Sequence, residues 1–179
     1  MQVYAYRVVV FAVFLLLGAA GVGMTAQAPT GDAAARLQAA GERFDSALAA
    51  ARAGGGLRQD SDFPRLAQEF RRLSDELLTG GDATRATFAA LRSADCLRIL
   101  QRWSEAKPLY QWVISLAQRA KRADYEAKAW LGTARIAKFG EQDHGGANDA
   151  IERALAAAAA VTDTATLRAD ILLERADLE

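Results

Sequence analysis

Apolar residues recur at three- and four-residue steps along almost the whole chain, and no segment alternates apolar with polar positions as a half-buried strand would. The pattern predicts seven α-helices. Asp32 opens the first, whose apolar positions are Leu37, Ala40, Phe44, Ala47, Leu48 and Ala51, and Gly54-Gly55-Gly56 ends it. Ser61 or Asp62 caps the second, with Pro64 in its first turn and Phe63, Leu66, Phe70, Leu73 and Leu77 as one stripe before Gly80-Gly81. A third runs from Asp82 to Leu100, with Ala86, Ala90, Ala94 and Leu97 on one face and Phe88 and Leu91 beside them. After a turn at Trp103-Ser104, a fourth spans Glu105 to Ala120, with Pro108 near its entrance and a stripe of Ala106, Leu109, Tyr110, Val113, Ala117 and Ala120.

The fifth helix is expected from about Ala123 to Phe139, stopping at Gly140. A glycine-rich loop, Gly140 to Gly146, leads to a sixth over Ala147 to Val161. Thr162, Asp163 or Thr164 caps a seventh that runs on to Glu179. Short turns between successive helices make neighbours antiparallel, so the expected fold is all-α, with hairpins over about 32–79, 82–120 and 123–161 and an unpaired helix over 164–179.

Three of the stripes share one spacing. Leu66, Phe70 and Leu73, then Ala106, Tyr110 and Val113, then Ala147, Ile151 and Ala154 are offset by 40 and 41 residues. A period in that range marks stacked helical hairpins. Leu131-Gly132 ahead of Ala147-x3-Ile151-x2-Ala154-Leu155 resembles the tetratricopeptide repeat, most clearly over 125–161 and more weakly over 82–120. The chain departs from that family in three ways. Arg135 stands where an aromatic residue is usual, the turn around Glu141–Gly146 is enlarged, and the hairpin spacing exceeds the usual 34 or so residues.

The longer spacing is similar to a variety found in bacterial proteins that join such arrays to a caspase-like peptidase or another effector domain. What the resemblance implies is a short right-handed superhelix of stacked hairpins. In such a stack Gly132, Ala147 and Ala154 let helices approach closely while Tyr110 and Ile151 fill the adjoining groove. An irregular helical bundle is the alternative on the same periodicity. The run Ala154–Val161 reads either as a thin helix inviting close contact or as compositional bias.

Ahead of the helices, residues 8–23 form an uncharged apolar run of 16 residues preceded by Arg7. That is a secretory signal pattern, short of the roughly 20 residues that span a hydrocarbon core. Residues 1–28 read as a signal peptide cut after Ala26 or Ala28, with an uncleaved anchor as the alternative, and 29–179 as the helical repeat domain. The product is expected in the periplasm or outside the cell, with no membrane attachment after cleavage.

The whole chain is formally neutral, with 22 basic and 22 acidic side chains. Nothing in it resembles the one-sided basic field that nucleic acid requires. A single cysteine, Cys96, excludes an intramolecular disulfide and sits in a helical apolar pattern that reads as buried. The only histidine, His144, lies far along the chain and has only Asp143 beside it, a poor metal-ligand set. Asp75-Glu76 falls on a solvated helix face, Trp103, Trp112 and Trp130 read as packing residues, and no glycine loop carries a phosphate signature.

No catalytic residue, metal site or cofactor is therefore expected. The reading left is a non-catalytic scaffold that binds a protein or peptide in the groove lined by the first helix of each hairpin, with Leu91, Asp95, Arg98, Thr133 and Ile136 as the groove residues. The alternative is the positioning segment of a larger exported effector. Leu167, Ile171, Leu172 and Leu178 on the last helix suggest that this helix docks on a further partner or on a second copy.

Overall fold

The computed structural model describes residues 30–53, 62–162 and 165–178, and among these every regular element is helical. Seven α-helices follow in order: α1 (Thr30–Ala53), α2 (Phe63–Thr79), α3 (Ala83–Ile99), α4 (Trp103–Arg119), α5 (Ala123–Ile136), α6 (His144–Ala158) and α7 (Ala165–Ala176). Each packs against the next, and the odd-numbered helices also meet one another, α1 on α3 and α3 on α5. The fold is all-α, a stack of helical hairpins with antiparallel neighbours.

The interior has no single centre. Phe44 of α1, Phe63, Phe70 and Leu77 of α2, and Ala86 and Cys96 of α3 form the first of three successive cores. Leu91 and Ala94 of α3, Tyr110 and Val113 of α4, and Ala129 and Ile136 of α5 form the second. The third joins Leu131 and Ala134 of α5, Ile151 and Ala154 of α6, and Ile171 of α7. Consequently α3 and α5 each serve two cores with different faces. All nine residues of the three repeated stripes, on α2, α4 and α6, are buried in this way.

Alanine and serine set how close the helices come. Ser74 of α2 donates its hydroxyl hydrogen bond to the carbonyl of Ala86 on α3, and Ser93 of α3 donates to the carbonyl of Ala67 on α2, both at 2.8 Å and both buried. This reciprocal pair satisfies two buried hydroxyls with backbone acceptors, which only a close approach of the two helices permits. In the alanine-rich run of α6, Ala154 and Ala158 are buried while Ala156 is exposed, so a single face makes the contact with its neighbours.

The period is written into the turns as well. Gly81, Gln101, Lys121 and Gln142 all adopt left-handed backbone angles, with φ between 54° and 84°. At the first three, the next residue's N–H bonds the carbonyl five positions back (Asp82 to Leu77, Arg102 to Leu97, Arg122 to Ala117), each at 2.9 Å. The left-handed residue itself bonds three back (Gly81 to Leu78, Gln101 to Arg98, Lys121 to Gln118), completing a Schellman closure of each helix.

Several boundaries differ from the sequence expectation, for identifiable reasons. Trp103 and Ser104 are the first residues of α4, because the turn closes earlier, at Gln101. Past Ile136 the chain does not stop at Gly140 but widens into a π-helical turn, Ala137–Glu141. This turn absorbs the one extra residue that makes the second stripe offset 41 instead of 40. The enlarged loop expected over Gly140–Gly146 is thereby reduced to Gln142-Asp143, since His144, Gly145 and Gly146 belong to α6 and Asp143 accepts from the Gly146 N–H at 2.9 Å. Likewise α7 ends at Ala176 in a turn. The signal segment 1–28, the glycine run at 54–56 and the capping positions 163 and 164 lie outside the described residues. No helix among the described residues is long and apolar enough to cross a membrane.

A left-handed conformation costs a residue with a Cβ about 1–2 kcal/mol, and glycine gives back about 0.4–1 of this through its extra freedom in the unfolded chain. Gln101→Gly and Lys121→Gly should therefore each stabilise the fold, by about 0.5–1 kcal/mol, whereas Gly81→Ala should destabilise it by a similar amount. Urea-unfolding midpoints measure all three.

Candidate functional site

Helices α3, α4 and α5 are tied together by Tyr110. Its side chain is fully buried, and its ring lies against Gly132 of α5. A Cβ added at Gly132 would come within 2.8 Å of the phenolic oxygen and closer still to the ring carbons. The same device recurs eight residues on, where a Cβ at Gly140 would lie 2.7 Å from Trp103 Cγ. Two aromatic side chains of α4 thus rest on two glycines of α5 and its π turn, and fix the α4–α5 contact at both places.

The buried phenol also carries a polar function. Tyr110 Oη donates to Asp95 Oδ1 at 2.6 Å and accepts from Arg98 Nε at 3.2 Å, so two side chains of α3 close over it. Burial, followed by the Asp95 carboxylate, pushes the phenol well above its ordinary pKa. Burial works against the charge of Arg98, but Tyr110 and Asp95 outweigh it and hold the guanidinium above its usual value. The group is a neutral phenol held between a carboxylate and a guanidinium, with its hydroxyl both donating and accepting, which is a structural clasp.

The five residues expected in a groove are thus divided. Asp95 and Arg98 keep 22% of their side-chain surface and are committed to Tyr110. Thr133 is half-buried and donates to the Ala129 carbonyl within its own helix. Leu91 (3% exposed) and Ile136 (1%) belong to the second core and present nothing to an incoming partner. These two positions carry the correction: their helical stripe turns inward because α4 covers it.

An open groove of about 680 Å³ does lie among the first helices of the hairpins, farther toward the start of α3. Gln38, Glu42 and Asp45 of α1 form one wall, and Arg85 and Phe88 of α3 with Tyr125 of α5 the other. The two rings are 6.1 Å apart. Phe88 is covered from behind by Arg92, whose guanidinium stacks at 5.3 Å on it and 4.5 Å on Phe44, with Asp45 at 3.6 Å. Arg122 lies over Tyr125 at 4.1 Å. The groove therefore sets an aromatic wall opposite an acidic one, with Arg85 beside the rings and paired to Asp82 at 2.7 Å. Arg85 and Phe88, its two residues on α3, are three apart and so share a helix face, a polar-aromatic pair that helical spacing alone could have singled out.

On the far side of α5, Arg135 pairs with Glu174 of α7 at 2.6 Å, and Lys138 stands 3.9 Å from the same carboxyl group. Glu174 is 9% exposed, so this pair fixes α7 to α5 across a largely dry contact. Arg135 is thus an anchoring cation.

Cys96 is fully buried, and burial, then Asp95, pushes its thiol up, away from thiolate. His144 is exposed at the start of α6. Among the described residues no group of three or more His, Cys, Asp or Glu side chains is placed to hold a metal ion. In comparison with known proteins, the chain matches no family model, no curated protein and no solved structure.

Gly132→Ala should lower stability by about 1–3 kcal/mol, because neither the ring nor the helix can move away. Tyr110→Phe should cost about 1–3 kcal/mol by leaving Asp95 and Arg98 one partner short. It should also change the alkaline response. A raised folded pKa means that the native state keeps a proton the unfolded chain releases above about pH 10. That contribution is full below about pH 10 and is lost by about 1.4 kcal/mol per pH unit above it. Urea unfolding at about pH 9 and about pH 11 should show a steeper loss for the parent protein than for Tyr110→Phe.

Proposed function

We propose that this protein is a non-catalytic, exported interaction scaffold, a tetratricopeptide-like stack that receives a peptide segment of a partner protein in the groove between α1, α3 and α5. The observation that carries the reading is that groove, open along its length, with Phe88 and Tyr125 on one side and Glu42 and Asp45 on the other. Aromatic rings give contact area at low entropic cost, and acids on the facing wall set which side of a peptide turns toward them. The pairing of Asp95 and Arg98 with Tyr110 makes them supports of the groove's framework instead of its contact residues.

A second reading has its own observation. Leu172 (48% exposed) and Leu173 (67%) lie on the outer face of α7, with Phe139 exposed at 59% on the π turn. Such a face favours the array as the positioning segment of a larger exported effector, with α7 making the contact.

Selection from a displayed library of random peptides tests the first reading. Selected peptides should lose at least about tenfold in affinity, about 1.4 kcal/mol, on Tyr125→Ala and on Arg85→Glu. Peptides that bind both variants as tightly as the parent would place the recognition surface elsewhere.

A further inference from the structure

A second groove opens on the other side of α3. Leu97 lies nine residues beyond Phe88, two and a half helical turns, and so faces away from the first groove. Here α2 and α4 form the walls of a cleft of about 650 Å³ that has α3 at its base. Ser93, bonded to the Ala67 carbonyl, closes the base with small atoms and leaves room above. One side is an apolar ledge made by the half-buried side chains of Leu97 and Trp112, with the buried Leu109 beneath them.

Its charge is one-sided. Arg71, Arg72 and Arg102 line the cleft with a single carboxylate, Glu105. That carboxylate is taken up by Arg102 through two hydrogen bonds of 2.6 Å. Arg71 is stacked on Trp112 at 4.6 Å, with Asp75 3.7 Å away at an exposed position. Arg72, exposed at the rim, has no hydrogen bond or ion pair among the described residues. The cleft thus holds a preoriented guanidinium on an aromatic face, beside it a guanidinium with no partner among the described residues, and an apolar ledge next to both.

A small inorganic anion would leave the ledge unused. Nucleic acid would need a longer basic track than a chain with balanced charge supplies. We propose that the α2–α4 cleft docks an acidic linear peptide of a partner protein. An Asp or Glu carboxylate is received by Arg72 and Arg71, and an adjacent aliphatic side chain lies on Trp112 and Leu97. Charge-assisted bonds to guanidinium supply the orientation, and the ledge supplies the desolvated contact. This cleft is separate from the groove between α1, α3 and α5, and neither assignment rests on the other.

Fluorescence anisotropy of the full chain with a labelled pool of short peptides carrying Glu-Asp pairs next to leucine tests the assignment. Saturable binding is expected at low salt, weakened at least about tenfold by Arg72→Gln and by Trp112→Ala, and weakened by about 0.5 M salt. Tyr125→Ala, in the other groove, should leave it unchanged, as should Arg65→Gln, an exposed arginine outside the cleft lining. The assignment is overturned if the Gln-Asn counterparts bind equally well, if Arg72→Gln has no effect, or if no saturation is reached. It is equally overturned if phosphatidylserine vesicles or a DNA oligomer displace the peptides and bind more tightly in an Arg72-dependent way.

Discussion

The approach of α5 to α4 is the constraint on which the centre of the molecule depends, and it is set by an aromatic ring resting on a residue without a side chain. Tyr110 could not lie over α5 if position 132 carried a Cβ, and Trp103 stands in the same relation to Gly140. Close approach brings the phenol hydroxyl under α3, where Asp95 and Arg98 meet it. One ring therefore joins three helices, two through packing and the third through hydrogen bonds. A buried hydroxyl with both its partners in place holds a particular arrangement of neighbours, since any slip would leave a carboxylate and a guanidinium partly desolvated.

Around that centre the chain is organised by contacts between near neighbours. Three cores follow one another, and α3 and α5 take part in two each because opposite faces of these helices are apolar. Stability in such an array is approximately a sum of units and the interfaces between them. The ends are held by different means. At the start, Phe44 packs edge-on against Phe63 and Phe70, 5.8 and 6.2 Å away. At the far end Ile171 supplies the buried contact of α7, and Arg135 and Glu174 add the ion pair.

The two grooves are consequences of the same geometry. Helix α3 contacts α1, α2, α4 and α5, and a cleft remains on each side of it where the neighbouring helices do not close over it. Between α1 and α5 that cleft is edged by acids and aromatic rings, whereas between α2 and α4 it is edged by arginines and Trp112. Two clefts of similar size therefore carry different charge.

Much of the fold was legible in the sequence because helical periodicity and turn residues are local signals. The stripes Leu66-Phe70-Leu73, Ala106-Tyr110-Val113 and Ala147-Ile151-Ala154 gave the buried faces, the 40-residue period gave the hairpins, and Gly132 stood out as a point of close contact. The boundaries that moved did so for reasons invisible in a linear reading. Gln101 accepts a left-handed turn that glycine would normally take, and a π turn absorbs an inserted residue. The candidate site was less legible. Asp95 and Arg98 have the composition of groove residues, and only the placement of Tyr110 beneath them makes them a clasp. Leu91 and Ile136 face inward because α4 lies over them. Sequence spacing fixes which residues share a face of a helix; which neighbour covers that face depends on how the helices pack, and this decided which charged residues are consumed inside the stack and which remain at its surface.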